Sequence, residues 1–159
     1  MRGGSMRGCS SMRLVLDTSV IVEYVVLGST YRPKVVKLFE LASKGGVELY
    51  VNPVTLSEVL YVVSRIYQAA GVEDPNGEAL DYVEWVKRRA RVVELSENIV
   101  LRAGELKKLL RMALVDCYVI ATAEALRATP LFKEIEYEMR PALAKLRELG
   151  VRFLKEVEL

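Results

Sequence analysis

The chain has 159 residues, of which 52% are hydrophobic and 28% are charged, a balance that is typical of one globular domain with a buried core. Its formal net charge is only +2, so any surface that binds nucleic acid has to be a local patch. It contains no histidine, which excludes Ser-His-Asp triads, histidine acid–base pairs and imidazole metal ligands and leaves hydrolysis to carboxylates.

The first eleven residues are rich in Gly, Ser and Arg and lack the apolar stretch of a signal peptide. We interpret residues 1–11 as a disordered or vector-derived leader and residues 12–159 as one domain. No apolar run reaches the roughly 18 residues needed to cross a bilayer, so no membrane association is expected. Cys9 in the leader and Cys117 in an apolar segment do not form the pattern of a disulfide-stapled secreted protein, and a reducing cytoplasm is the predicted compartment.

The first half of the domain alternates predicted strands and helices. Residues 13–16 form a short aliphatic run that predicts a strand, and helical spacing follows from residue 19 to residue 26 and beyond. A second helix is predicted over 34–43, a second strand over 47–51, and a third helix over 55–70, which Gly71 ends.

The same alternation continues in the second half. After a loop at 74–77, the pattern predicts a helix over 78–91, a strand over 92–95, and a helix that Ser96 caps and that ends near residue 111. A helix over 116–126, a strand over 129–132, a helix from Pro141 to Gly150 and a last strand over 151–157 complete the chain. This order predicts an α/β fold, a three-layer α/β/α sandwich with a mainly parallel central sheet.

Three acidic residues follow predicted strands or open helices. Asp17 comes directly after the first strand, Glu58 lies at the start of the helix after the second, and Asp116 opens a later helix. Ligands of open parallel sheets bind beyond the carboxyl ends of the strands, so the three could share one pocket. Each also has a purely structural interpretation: an Asx-type turn for Asp17, a capping box with Thr55 for Glu58, and a first-turn helix acid for Asp116. Cys117 is interpreted as a small buried hydrophobe.

The segments around these acids resemble the motifs of one protein family. Asp17 lies in Leu14-Val15-Leu16-Asp17-Thr18-Ser19-Val20, Glu58 in Pro53-Val54-Thr55-Leu56-Ser57-Glu58-Val59, and Asp116 in Leu114-Val115-Asp116-Cys117-Tyr118-Val119-Ile120-Ala121-Thr122-Ala123. In this order the motifs are similar to those of the PIN domains, and within them the VapC-type toxins. The resemblance covers residues 12–159.

PIN domains usually carry a fourth acid about eighteen residues after the third, in a Thr-x-Asp-type loop. An ungapped count from Asp116 reaches Glu134. The loop here reads Thr129-Pro130-Leu131-Phe132-Lys133-Glu134-Ile135-Glu136 and departs from that pattern. The fourth position is therefore Glu134, Glu136 or absent.

Carboxylates that converge on one pocket repel one another unless a cation neutralises them, and an all-oxygen ligand set favours Mg²⁺ or Mn²⁺. The ion would activate a water for attack on phosphorus. Asp17 and Asp116 are the expected direct ligands, Glu58 is a ligand or a holder of water, and Thr18 or Ser19 could orient an acid. The resemblance implies an endoribonuclease that cleaves RNA phosphodiester bonds, acts as the toxin of a toxin–antitoxin pair, binds an antitoxin protein and forms a homodimer.

Other interpretations stay open. A PIN-like protein with weak or no activity, serving RNA processing or binding another protein, would have the same motifs. A nucleotide-binding domain would need a Gly-rich phosphate loop, which the sequence does not contain. A phosphoacceptor domain would leave Glu58 and Asp116 without a role. The cations that could guide a substrate, or simply lie on solvated helix faces, are Arg65, Lys107, Lys108, Arg111 and Lys133.

Overall fold

The structure is a computed structural model that describes residues 11–159. Residues 1–10 of the predicted leader, with Cys9, lie outside the described residues. The centre of the fold is a five-stranded, fully parallel sheet of order β3-β2-β1-β4-β5. The strands are β1 (Met12–Leu16), β2 (Val47–Val51), β3 (Arg91–Val92), β4 (Thr129–Phe132) and β5 (Arg152–Phe153).

Seven α-helices and three 3₁₀ turns connect the strands in the described part of the chain. The helices are α1 (Thr18–Ile21), α2 (Arg32–Ser43), α3 (Pro53–Ala69), α4 (Pro75–Lys87), α5 (Glu97–Leu110), α6 (Leu114–Leu126) and α7 (Leu143–Glu148). The 3₁₀ turns are Val22–Tyr24, Tyr137–Ala142 and Leu154–Glu156. Among these residues, no helix is both long enough and apolar enough to cross a membrane.

The sheet separates two hydrophobic cores. Leu14 and Leu16 of β1 point into a core with α1 to α4, whereas Val15 between them points into a core with α5 to α7. Side chains alternate across a strand, so a central strand that is buried on both faces has to be apolar throughout. The predicted three-layer α/β/α sandwich is confirmed.

The strand order reverses beside β1. The chain moves from β1 to β2 and β3 on one side and then returns to place β4 and β5 on the other. Such a reversal leaves a crevice at the carboxyl ends of the two strands at which the order changes, because the helices that follow them depart to opposite faces. Asp17 lies in this crevice, and its backbone N–H donates to the carbonyl of Leu131 in β4 (3.0 Å).

The central strands match the prediction, and the differences lie at the edges and helix starts. The bounds predicted for β2 and β4 are those observed, but the strands predicted over 92–95 and 151–157 have only two residues each. Both are edge strands with one neighbour, so less of each is held in a ladder. The helix predicted from residue 19 to beyond residue 26 gives way to a 3₁₀ turn after Ile21.

Candidate functional site

Asp17 is a buried carboxylate with one unused oxygen. It is 4% exposed and caps α1, where the Ser19 N–H donates to Oδ2 (2.9 Å). The other oxygen, Oδ1, is buried without a hydrogen-bond partner among the described residues. Burial raises the pKa of Asp17 to about 6, although the bonds from Ser19 act against the rise. The Asx-type interpretation is therefore correct for Oδ2 and leaves Oδ1 unexplained.

Asp116 is the most strongly perturbed acid of the site. It lies in the first turn of α6, which begins at Leu114, two residues earlier than predicted. Burial raises its pKa to about 8, and the negative charges of Asp17, Glu136, Glu138 and Glu58 add to the rise, in that order. The charges of Asp17 and Glu58 thus reach Asp116, so the three predicted acids act on one another electrostatically.

The capping-box interpretation of Glu58 is wrong. The cap of α3 is Asn52, whose Oδ1 accepts from the Thr55 N–H (2.9 Å), and the helix begins at Pro53. Glu58 therefore lies in the second turn of the helix, beyond the reach of the free N–H groups at its start. Its side chain is partly exposed and its charge contributes to the raised pKa values of both Asp17 and Asp116.

Glu134 and Glu136 lie in different surroundings. The Tyr31 hydroxyl donates to Glu134 (3.2 Å), and Lys133 Nζ lies 3.8 Å from Glu134 Oε1. Glu136, by contrast, is the second of the four charges that raise the pKa of Asp116, and Glu138 is the third. Glu138 was not among the candidates, because the loop that was compared with the family motif ends at Glu136.

A partly buried ion pair fixes the loop after β4 against the 3₁₀ turn that follows α1. Lys133 Nζ donates to Glu23 Oε1 (2.9 Å), and Glu23 is 7% exposed. The Lys133 N–H donates to Ser19 Oγ (3.1 Å), so Ser19 connects Asp17 to the same loop. Thr18 Oγ1 is buried without a partner in the described residues. Lys133 is thus engaged structurally, and the backbone N–H of Ser19 holds Asp17 in place.

The other candidate cations divide into two groups. Arg65 donates to the Tyr61 hydroxyl (2.9 Å), and Lys107 donates to the Met112 carbonyl (2.9 Å), so both have local structural partners. Lys108 and Arg111 line an open groove at the end of α5. Cys117 is fully buried, and burial raises the pKa of its thiol to about 11, which is the behaviour of a core residue.

The acids do not enclose an ion by themselves. Across residues 11–159, no group of three or more acidic or cysteine side chains is close enough to hold a metal ion. Mg²⁺ commonly takes only one or two protein carboxylates and keeps several waters. The buried, unpartnered Oδ1 of Asp17 and the charge repulsion at Asp116 fit a divalent cation of that kind.

Two polar residues that support the site were missed in the sequence. Asn52 and Thr122 are fully buried, and Asn52 Nδ2 lies 3.4 Å from Thr122 Oγ1, which joins the start of α3 to α6. Thr122 in turn donates to the Tyr118 carbonyl (2.7 Å). The signal was present in Asn52-Pro53, since Asn at the cap and Pro at the first helical position are typical of a helix start.

The Asn52→Ala variant is expected to lose about 1–2 kcal/mol of unfolding free energy, because it removes a cap and leaves Thr122 without its neighbour. Ser96→Ala is the matched control, since Ser96 caps α5 from an exposed position (Ile99 N–H to Oγ, 3.3 Å). Urea unfolding of both measures the difference. Equal losses would show that the Asn52–Thr122 contact adds nothing to the cap.

Comparison with known families gives one match. The model of the family described as "PIN domain" matches residues 14–134, a range that includes Asp17, Glu58 and Asp116. No curated protein matches.

Solved structures share the fold at low identity. VapBC2 from Rickettsia felis, bound to a DNA fragment from its promoter, has a TM-score of 0.64 at 17% identity over 89% of this chain and 98% of that one. PAE2754 from Pyrobaculum aerophilum has a TM-score of 0.63 at 13% identity, and the match covers 94% of both chains. A toxin–antitoxin complex from Klebsiella pneumoniae has a TM-score of 0.57 at 16% identity, and the match covers 92% of this chain and 99% of that one.

Proposed function

Because the chain belongs to the PIN domain family, we propose that it is a metal-dependent endoribonuclease and the toxin of a toxin–antitoxin pair. The observation that carries the proposal is the pair Asp17 and Asp116. Both carboxyls have a raised pKa, at the point where the strand order reverses. Strongly perturbed acids in a cleft are typical of a catalytic site.

The chemistry of the acids favours Mg²⁺ or Mn²⁺. Asp17 and Asp116 would hold the ion directly, and Glu58, which is partly exposed, would bind it directly or through water. Carboxylate oxygens are preferred by these hard cations, and the described residues around the acids include no histidine and no exposed cysteine. Once bound, the ion would supply positive charge for the phosphate and an activated water.

The side chains of this protein would hold the metal ligands in position and set the charge of the site. Asp17 is held by Ser19 through Oδ2, which leaves Oδ1 as the free ligand atom. Asp116 would release its proton when a cation enters, because the cation offsets the repulsion from the neighbouring carboxylates. Glu58 and Glu136 would accept hydrogen bonds from waters at the open side of the crevice.

The family and the neighbours support the substrate and the partners that we propose. RNA is the substrate we propose, and an antitoxin protein is the proposed partner because the K. pneumoniae neighbour is a toxin–antitoxin complex. We also propose a homodimer. Large apolar side chains that are half or more exposed on α3 and α5, Tyr61 (59%) and Leu101 (59%), offer surface for such contacts.

The experiment that tests the proposal is cleavage of a mixed, structured RNA by the purified protein with Mn²⁺ or Mg²⁺. Cleavage is expected with the ion, loss of cleavage with chelator, and recovery when the ion is added back. Cleavage that continues in chelator would exclude the metal mechanism. A folded protein that neither cleaves RNA nor gains thermal stability with Mn²⁺ would be a non-catalytic PIN-like module.

The fourth acid is proposed to be Glu136 and not Glu134. Glu136→Gln is expected to lower the cleavage rate by roughly 10- to 100-fold, the range found for groups that orient metal ligands. Glu134→Gln should change it little, because Glu134 bonds to Tyr31. Single-turnover cleavage rates at saturating Mn²⁺ compare the two. Equal rates for both variants and the wild type would mean that the site has three acids.

A further inference from the structure

A pocket of about 350 Å³ opens at the amino ends of β2 and β3. Four cations that lie close together in the chain line it: Lys87, Arg88, Arg89 and Arg91. Arg89 also lines a neighbouring depression together with Lys44, which follows the end of α2. We call these five residues the basic edge.

The basic edge concentrates positive charge in a domain that has no excess of it. Two of the 23 basic residues of the chain and none of the 21 acids precede residue 11, so residues 11–159 are formally neutral. One acid lines the pocket, Glu48, and its Oε2 already accepts from Arg13 Nε (3.0 Å). Arg88 and Arg91 are exposed and form no ion pair with a residue in the described range. A concave surface lined by charges of one sign attracts molecules of the opposite charge.

Helix ends alone do not explain this cluster. The dipole of α4 favours Lys87 and Arg88 at its carboxyl end, and the dipole of α2 favours Lys44 in the same way. Arg91, however, belongs to β3 and not to a helix. Like charges that are brought together from two helices and a strand repel one another, so the cluster costs stability in the free protein. A local cost of this kind is typical of a functional surface.

Arg89 is held in place by the single tryptophan of the chain. Its guanidinium lies 3.9 Å from the centre of the Trp85 ring, and its Nη1 donates to the Trp85 carbonyl (3.1 Å). Stacking on a ring leaves N–H groups at the edge of the guanidinium able to donate. Arg89 is therefore preorganised to bind phosphate oxygens with its planar fork of donors.

The surface of the basic edge fits a phosphate backbone better than a protein or a membrane. Protein interfaces have an apolar centre, and helices that bind membranes expose an apolar face. None of the residues that line the pocket is an exposed large hydrophobic residue. Three of its four cations are arginines, the side chain whose geometry matches phosphate.

We propose that the basic edge is a second RNA-binding site, which holds a long RNA by its phosphates while another part of the same RNA reaches the acids. All five strands are parallel, so the basic edge and Asp17 lie at opposite edges of the sheet, roughly 17 Å apart along the five residues of β1. A short oligonucleotide at the acids leaves the basic edge empty, whereas a long RNA can occupy both. The inference rests on the proposed ribonuclease function and adds a preference for long substrates.

The first test is binding of a fluorescent, long hairpin RNA, measured by anisotropy in chelator, where no cation offsets the charge of the acids. The edge variant combines Arg88→Gln and Arg91→Gln. The control variant combines Lys37→Gln and Lys155→Gln, two exposed cations outside the pocket. The edge variant is expected to raise Kd at least roughly fivefold and to lower the slope of log Kd against log salt by about 1.4 to 1.8, since each phosphate contact contributes roughly 0.7 to 0.9. The control should stay within about twofold.

Trp85 reports where the RNA binds. It is the single tryptophan and Arg89 stacks on its ring, so RNA at the basic edge is expected to change its emission with the midpoint found by anisotropy. RNA that binds at the acids, at the opposite edge of the sheet, would leave the emission unchanged. Unchanged emission at saturating RNA would therefore overturn the proposed position.

Cleavage kinetics test the preference for long RNA. In Mn²⁺, the edge variant is expected to raise KM for the hairpin RNA by about the factor found for Kd, with kcat unchanged, because the basic edge lies far from the acids. For a short oligonucleotide, neither KM nor kcat should change. An equal rise of KM for both substrates would contradict a site at which only the long RNA binds.

The outcomes separate this inference from the proposed function. RNA binding that changes Trp85 emission and is weakened in the edge variant supports the second site even if no cleavage is found. An edge variant that binds like the wild type, or a control variant that loses as much, overturns it even if the protein cleaves RNA. A folded wild type that binds no RNA in chelator, or that binds duplex DNA of the same length more tightly, also overturns it.

Discussion

Asp116→Asn is expected to retain less than about one-hundredth of the wild-type rate of Mn²⁺-dependent RNA cleavage. Asn has the shape of Asp but lacks its negative charge, so it binds a divalent cation far more weakly. Groups that only orient metal ligands contribute roughly 10- to 100-fold, and a direct ligand should contribute at least the upper end of that range. The measurement is single-turnover cleavage at several Mn²⁺ concentrations.

Asp17→Asn should lose activity in the same way while the fold remains. Asn is as good a helix cap as Asp, so the bond from the Ser19 N–H is kept. Asp74→Asn is the matched control, because Asp74 caps α4 from an exposed position (Gly77 N–H to Oδ1, 3.1 Å). The control should cleave like the wild type. Full activity in both Asp17→Asn and Asp116→Asn would exclude the carboxylate–metal mechanism.

The central part of the fold could be predicted from apolar runs and turn residues. β2 is a mostly buried strand between Gly46 and Asn52, β4 is a short buried strand, and the observed bounds of both are those predicted. Gly71, predicted to end the third helix, has the positive φ (77°) that favours glycine after a helix. Such signals are local, so one sequence is enough to find them.

The edges of the sheet could not be predicted in the same way. Val93 to Leu95 and Val151 to Val157 are β-like in composition, but strand length at an edge depends on how far the single neighbour extends. Met139 and Ala142 are buried in a 3₁₀ turn before α7, where the sequence predicted that the helix opens at Pro141. Tertiary contacts decide these positions, and local propensity does not.

The sequence analysis singled out Asp17, Glu58 and Asp116 as candidate acids, but it did not predict their surroundings. Their position after strands and at helix starts follows from the β–α alternation. Because Asn52 and not Thr55 caps α3, the capping-box interpretation of Glu58 fails. Glu138 was missed because it lies in a 3₁₀ turn beyond the loop that was compared with the family motif, and its distance along the chain does not show that its charge reaches Asp116.

The metal-free protein is expected to become less stable as the pH rises from about 4 to about 8. The pKa of Asp116 is raised from an ordinary value of 3.8 to about 8, and that of Asp17 to about 6. Between these values the folded state holds protons that the unfolded state has released, so the free energy of unfolding falls with pH. Thermal unfolding in chelator at pH 5, 6, 7 and 8 measures the fall.

The Asp116→Asn variant and added Mn²⁺ distinguish this cause from others. Asn carries no charge, so the variant should show a flatter pH profile and a higher Tm than the wild type at pH 8. Mn²⁺ should stabilise the wild type more at pH 8 than at pH 6, because binding displaces protons from the acids. A wild-type Tm that is constant from pH 5 to pH 8 in chelator would contradict this prediction. It would mean that Asp116 is ionised over the whole range and that other groups of the protein offset the repulsion from the neighbouring carboxylates.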